Sequence, residues 1–141
     1  MKTIIDTAIE AGTFTTFLAA LKAASLMDTL RTPGPYTIFA PTDAAFNRLS
    51  PATLKALLKD IRRLKVILTL HVVSGTFAAR SFTPGDVKTV EGRSLVFASK
   101  GHVMSINGAI FEQPDIACSN GIIHAIDTVI LTVAGSLPAV A

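Results

Sequence analysis

Apolar residues recur at intervals of three and four through the first half of the chain and tend to alternate through the second. Ile4, Ile5, Ala8 and Ile9 keep helical spacing as far as Gly12, and Thr3 with Asp6 has the form of a capping arrangement. Phe14, Phe17, Leu18 and Leu21 are the apolar stripe of a second predicted helix, which Thr13 is placed to cap. The prolines and glycine of "RTPGPY" stop helix growth, and "YTIFA" at 36–40 predicts a buried strand. Ser50 then supplies an N-cap hydroxyl and Pro51 a proline at the first helical position. Leu54, Leu57 and Leu58 mark the inward side of that helix. Ile61, Leu64, Ile67 and Leu68 mark that of the next, which starts at Asp60 and ends near His71.

From residue 94 onward the pattern is that of strands: "SLVFA", "HVMSI", "AIFEQ" and "IIHAIDTVIL". Ser99-Lys100-Gly101, Asn107-Gly108 and Asn120-Gly121 separate them. An Asn-Gly pair suits a type I′ hairpin, in which both central residues need positive φ. Helices first and an antiparallel meander afterwards, with one early strand, predict an α+β domain rather than a doubly wound sheet. Residues 1–133 read as one domain and 134–141 as a frayed tail.

Composition supports an ordered globular chain: 141 residues, half of them hydrophobic and 16% charged. No apolar run reaches the ~18 residues that a membrane span requires. Asp6 and Glu10 interrupt the stretch where a signal peptide would be apolar. The chain is therefore expected either to lack an export signal or to be a mature domain with a replacement initiator Met. The net charge of +3 and pI near 9.3 raise the question of nucleic acid. The bases of "LKALLKDIRRLK" have no aromatic residue interleaved for stacking, so they read as a solvated helix face and no nucleic-acid partner is expected. Cys118 stands alone, which rules out an internal disulfide.

The residues able to do chemistry are few. In "APTDAAF", Pro41 ends a strand, Thr42 stands where an N-cap belongs, and Asp43 enters the first helical turn. Phe46 follows, able to return a ring to the core. The segment has neither the G-x-S-x-G of a nucleophile elbow nor a glycine-rich phosphate loop. His71, His102 and His124 lack metal-ligand spacing, so neither a metal site nor a cofactor is expected. His71 and His124 read as interior histidines, with Asp43 and backbone carbonyls as candidate partners for their ring nitrogens. A Cys118–His dyad is the enzymatic alternative, but no basic neighbour in sequence lowers the thiol pKa. In "EQPDIACSNG", Pro114 suits a bulge or an edge, leaving Asp115 exposed beside an exposed Ile116 as a candidate recognition dipeptide.

Taken in order, "YTIFAPTDAAF", "ILTLHVVSG" and "NGAIFEQPDIACSNGIIHAIDTVIL" resemble the three signature segments of the fasciclin domain, over Ile4 to Val133. Leu70 stands where that family usually has Tyr, and Ser74 where Pro is common. The resemblance implies a wedge or sandwich of about seven strands with helices packed along it. It also implies a structural role for Thr42, Asp43, Phe46, His71, Asn120, Gly121, His124 and Asp127. It further implies non-enzymatic adhesion or protein–protein interaction outside the cytoplasm, at the cell surface, in the periplasm or extracellularly. The partner would be a cell-surface or extracellular-matrix protein, and the chain is expected to act as a monomer. Asp115 and Ile116 align with an Asp-Ile dipeptide implicated in integrin recognition in some animal matrix members. The alternative reading, from a mean hydropathy of +0.52, is a carrier for a small apolar ligand such as a lipid or pigment.

Overall fold

The structure is a computed structural model that describes residues 2–31, 34–92, 94–101 and 103–130. The expected tail at 134–141, the end of "IIHAIDTVIL" and His102 lie outside the described residues. Five helices precede most of the sheet: α1 (Ile4–Ala11), α2 (Thr15–Ala23), α3 (Asp43–Asn47), α4 (Pro51–Lys59) and α5 (Ile61–Leu70). The strands are β1 (Tyr36–Pro41), β2 (Val72–Ser74), β3 (Gly85–Lys88), β4 (Ser94–Lys100), β5 (Val103–Ile106), β6 (Ala109–Cys118) and β7 (Gly121–Ile126). The predicted α+β class holds, and the helix starts follow local chemistry. Thr3, Thr42, Ser50 and Asp60 each accept a backbone N–H of the helix they precede. Gly12 closes α1 with a φ of 75°, a conformation glycine adopts without strain.

All seven strands form one sheet in the order β2-β1-β7-β6-β5-β4-β3. The meander β4 to β7 is antiparallel as expected and β3 extends it, but β1 inserts between β2 and β7 and runs parallel to β7. The sheet curls toward closure, because the Val90 N–H just after β3 donates to the Val72 carbonyl of β2 at 2.8 Å.

The paired strands β1 and β7 have two buried faces. Ile38, Ala40, Ile123 and Ala125 face a core built with α1, α2, α3 and α5, where Phe14, Phe17, Leu21 and Leu64 pack. Phe39 and Ile126 face a second core inside the curl of the sheet, with Leu95, Phe97, Ile106 and Phe111. Truncating one of these fully buried side chains to Ala costs about 2–5 kcal/mol.

The helix-face assignments need correction at the α4–α5 junction. Leu57 is buried, but Leu58 and Ile61 are 37% and 44% exposed. The two helices break at Asp60, so one apolar stripe does not run through both. Strand β3 was not predicted. It is a short edge strand with charged Asp86 and Lys88, and it lacks the apolar alternation that marks the others.

Candidate functional site

Asp43 is held in the gap between two helices. Its Oδ1 accepts the Thr16 N–H at 2.8 Å and its Oδ2 accepts the Thr15 hydroxyl at 2.7 Å. The residue at the N-cap of α2 is Phe14, which has no side-chain acceptor, so Asp43 caps that helix from α3. This corrects the assignment of Thr13, which contributes only its carbonyl, to the Asp43 N–H at 2.8 Å. Burial pushes the Asp43 pKa up, but the hydrogen bonds from Thr16 and Thr15 outweigh it and hold the carboxyl below its ordinary value. Thr42 caps α3 itself, through the Ala45 N–H at 3.2 Å, and Phe46 is buried. Asp43 also lines an open cleft of about 370 Å³ with Glu112, Gln113 and Thr13. With both oxygens occupied, Asp43 is a poor proton acceptor there.

His71 ends α5 and ties four parts of the chain together. Its carbonyl accepts the Phe39 N–H of β1 at 2.8 Å, and its ring meets Phe17 of α2 edge-on, centroids 6.3 Å apart. Nε2 accepts the Ile130 N–H at 3.0 Å, so the proton resides on Nδ1 and is donated to the Ile67 carbonyl at 2.7 Å. The ring has no exposure, and burial lowers its pKa to about 4 despite that second bond.

His124 is held in the opposite tautomer. Nδ1 accepts the Asp115 N–H at 3.0 Å, leaving Nε2–H to donate to the Phe77 carbonyl at 2.8 Å. The ring stacks on Phe111 at 5.2 Å and packs near Phe39 and Phe82. Burial lowers its pKa against the raising effects of the Phe77 carbonyl and the Asp115 charge. Asp43 therefore partners neither histidine; backbone groups do.

Asp115 occupies a bulge, as Pro114 suggested, with φ 61° and a register shift between Gln113 and Ile116. Its Oδ1 accepts the Ala79 N–H at 2.8 Å, while the side chain remains 49% exposed. Ile116, expected to be exposed beside it, is half-buried against the helical core. The bulge turns the two side chains to different surroundings.

Asn120 and Gly121 form another joint. Asn120 Oδ1 accepts the Ile4 N–H of α1 at 2.9 Å, and Nδ2 donates to the Leu30 carbonyl at 2.6 Å. The predicted Asn120-Gly121 turn is displaced by one residue: Cys118 pairs with Gly121, so Ser119 and Asn120 make the turn. Gly121 is needed for a different reason, because a Cβ there would lie 1.8 Å from the Tyr36 carbonyl oxygen. By contrast, Asn107 and Gly108 have φ of 49° and 83°, as a type I′ turn requires. Asp127 Oδ1 accepts the Ile110 N–H at 2.9 Å, and Oδ2 pairs with Arg48 at 3.4 Å.

Sequence reasoning passed over Thr37, which is fully buried. Its hydroxyl donates to the Gly75 carbonyl at 2.7 Å and accepts the Phe77 N–H at 2.9 Å. A hydroxyl among the apolar residues of "YTIFA" was the available signal. Cys118 is buried, donates to the Ile116 carbonyl at 3.5 Å, and has its pKa raised by that burial. Both effects make it a poor nucleophile. An open cleft of about 310 Å³ lies between β2 and β3, lined by Phe77, Phe82, Val73 and Val87 with Asp86 and Lys88. A wholly apolar pocket beside Leu26, Leu30 and Val72 holds about 40 Å³, space for a water-sized group. Among the described residues no cluster of His, Cys, Asp and Glu is arranged to hold a metal, and no helix is long and apolar enough to cross a membrane.

The family model of the fasciclin domain matches residues 12–132, most of the chain. The chain belongs to the fasciclin domain family. The uncharacterized protein sll1735 of Synechocystis is 41% identical over 133 residues, covering 93% of this chain and 98% of its own. The cell surface glycolipoprotein MPB83 of Mycobacterium bovis is 36% identical over 107 residues, 76% of this chain and 48% of its own. The fold is also that of a solved fasciclin domain pair from the insect cell adhesion molecule Fasciclin I. That match has a TM-score of 0.81 at 20% identity, over 93% of this chain and 51% of that one.

Proposed function

We propose that this fasciclin domain is a non-enzymatic adhesion or protein–protein interaction module, acting at a cell surface or outside the cell on a surface or matrix protein. One observation carries the reading: the residues that could have served catalysis are spent on the fold. His71 and His124 each have both ring nitrogens bonded internally and no exposure, and both Asp43 oxygens hold α2. The relatives' names, cell surface glycolipoprotein and cell adhesion molecule, support the same direction. A carrier for lipid or pigment is less favoured, since the wholly apolar pocket is only about 40 Å³.

Within this reading Asp115 is the proposed contact residue, while Ile116 packs half-buried against the helical core. Asp115→Asn keeps an acceptor for the Ala79 N–H and removes the charge. Immobilised domain should retain a protease-sensitive ligand from the envelope of the source cells. The Asn variant should retain several-fold less at an unchanged melting temperature. Equal retention by both would remove Asp115 from the interface, and the absence of any protease-sensitive ligand would sink the module reading.

A further inference from the structure

Helices α4 and α5, consecutive in the chain and packed on each other, both carry cations and exposed aliphatic side chains. Of the chain's thirteen Lys and Arg residues, five fall between Lys55 and Lys65, with Asp60 the one acid among them. That carboxylate is exposed but caps α5, accepting the Arg63 N–H at 3.3 Å. Elsewhere Lys2 pairs with Glu10, Arg31 with Asp6 and Asp28, and Arg48 with Asp127. Among the described residues, none of the five α4–α5 cations has a carboxylate at ion-pair distance.

Helical spacing sets these groups together. On α5, Ile61, Arg62, Lys65 and Val66 form a single outward stripe opposite the buried Leu64, Ile67 and Leu68. On α4, Lys55, Leu58 and Lys59 share the side away from buried Leu57, and the helices join through Asp60 alone. Leu58, Ile61 and Val66 are 37%, 44% and 36% exposed. A surface of unpaired cations interleaved with aliphatics has a natural counterpart in an anionic bilayer. Headgroups supply the missing negative charge, and the acyl boundary takes up the aliphatic side chains. Nucleic acid would satisfy the cations but leave the aliphatics in water. It would also find no Phe, Tyr or Trp to stack on between Phe46 and Phe77.

We infer that the outward face of α4 and α5 docks on an anionic lipid surface. This does not depend on Asp115 or on a protein partner, and protein-free vesicles test it separately. Co-sedimentation of the full chain should show binding to vesicles of equal parts phosphatidylcholine and phosphatidylglycerol, weakening as salt rises, and little binding to phosphatidylcholine alone. Each cation at such a surface contributes about fivefold, and Glu also adds repulsion, so the triple variant Lys59→Glu, Arg62→Glu, Lys65→Glu should bind at least about a hundredfold more weakly. Leu58→Ser, Ile61→Ser and Val66→Ser together should also weaken binding with the charge intact. Lys100→Glu, at the far end of β4, should change it much less. The inference is overturned by failure to bind the mixed vesicles or by equal binding to neutral ones. It is equally overturned if Lys100→Glu matches the triple variant, or if an oligonucleotide is bound in place of lipid.

Discussion

Single residues at the joints are set by contact geometry. At Gly121, with φ of 154°, an added methyl would meet the Tyr36 carbonyl and backbone nitrogen, and neither can move without parting β1 from β7. Gly121→Ala should therefore cost at least about 3 kcal/mol, read as a lower urea midpoint with little change in slope. The identity of this glycine was legible in "NGIIH", but its reason was not, because the clash is with a strand far away in sequence. His71 brings a pH dependence. Its folded pKa of about 4 lies below the ordinary 6.5, so between these values the unfolded chain takes up a proton that the folded chain refuses. The stabilisation is complete above pH 6.5 and falls away as pH drops toward 4, by about 3 kcal/mol in all. His124 acts in the same sense. Urea titrations across this range should show the decline, and His71→Ala should flatten it while lowering stability at neutral pH by about 1–3 kcal/mol.

At the scale of elements, caps and strand edges separate what could be read from what could not. Thr3, Thr42 and Ser50 each cap the helix that starts one residue later, a local relation visible in sequence. The cap of α2 is not local, since Asp43 lies 27 residues beyond Thr16. Asp43→Ala should destabilise the protein by about 1–2 kcal/mol and speed hydrogen exchange at the Thr16 amide. Thr42→Ala should cost about 1 kcal/mol and leave that amide protected. The same non-locality hid β3, whose ladder partner is β4, and the outward position of Leu58 and Ile61. Periodicity marks an apolar side of a helix but not the point where the core ends.

For the whole molecule, alternating runs, an Asn107-Gly108 turn and helical stripes were sufficient for the α+β class and the meander. The parallel insertion of β1 beside β7 was outside their reach, because nothing in "YTIFA" names its neighbours. That pairing creates the two-faced centre of the fold, and His71, His124 and Asn120 fasten the surrounding segments to it. Structural use of the signature residues leaves function to the surface, where the Asp115 bulge and the basic face of α4–α5 are separate proposals. The most direct test of the joint account is nitrogen NMR of the two histidine rings near pH 6.5. Both rings should be neutral and slow to exchange, His71 with its proton on Nδ1 and His124 with its proton on Nε2. A ring that is half protonated at that pH, or averages between tautomers, would be open to solvent as a catalytic base must be, and would contradict it.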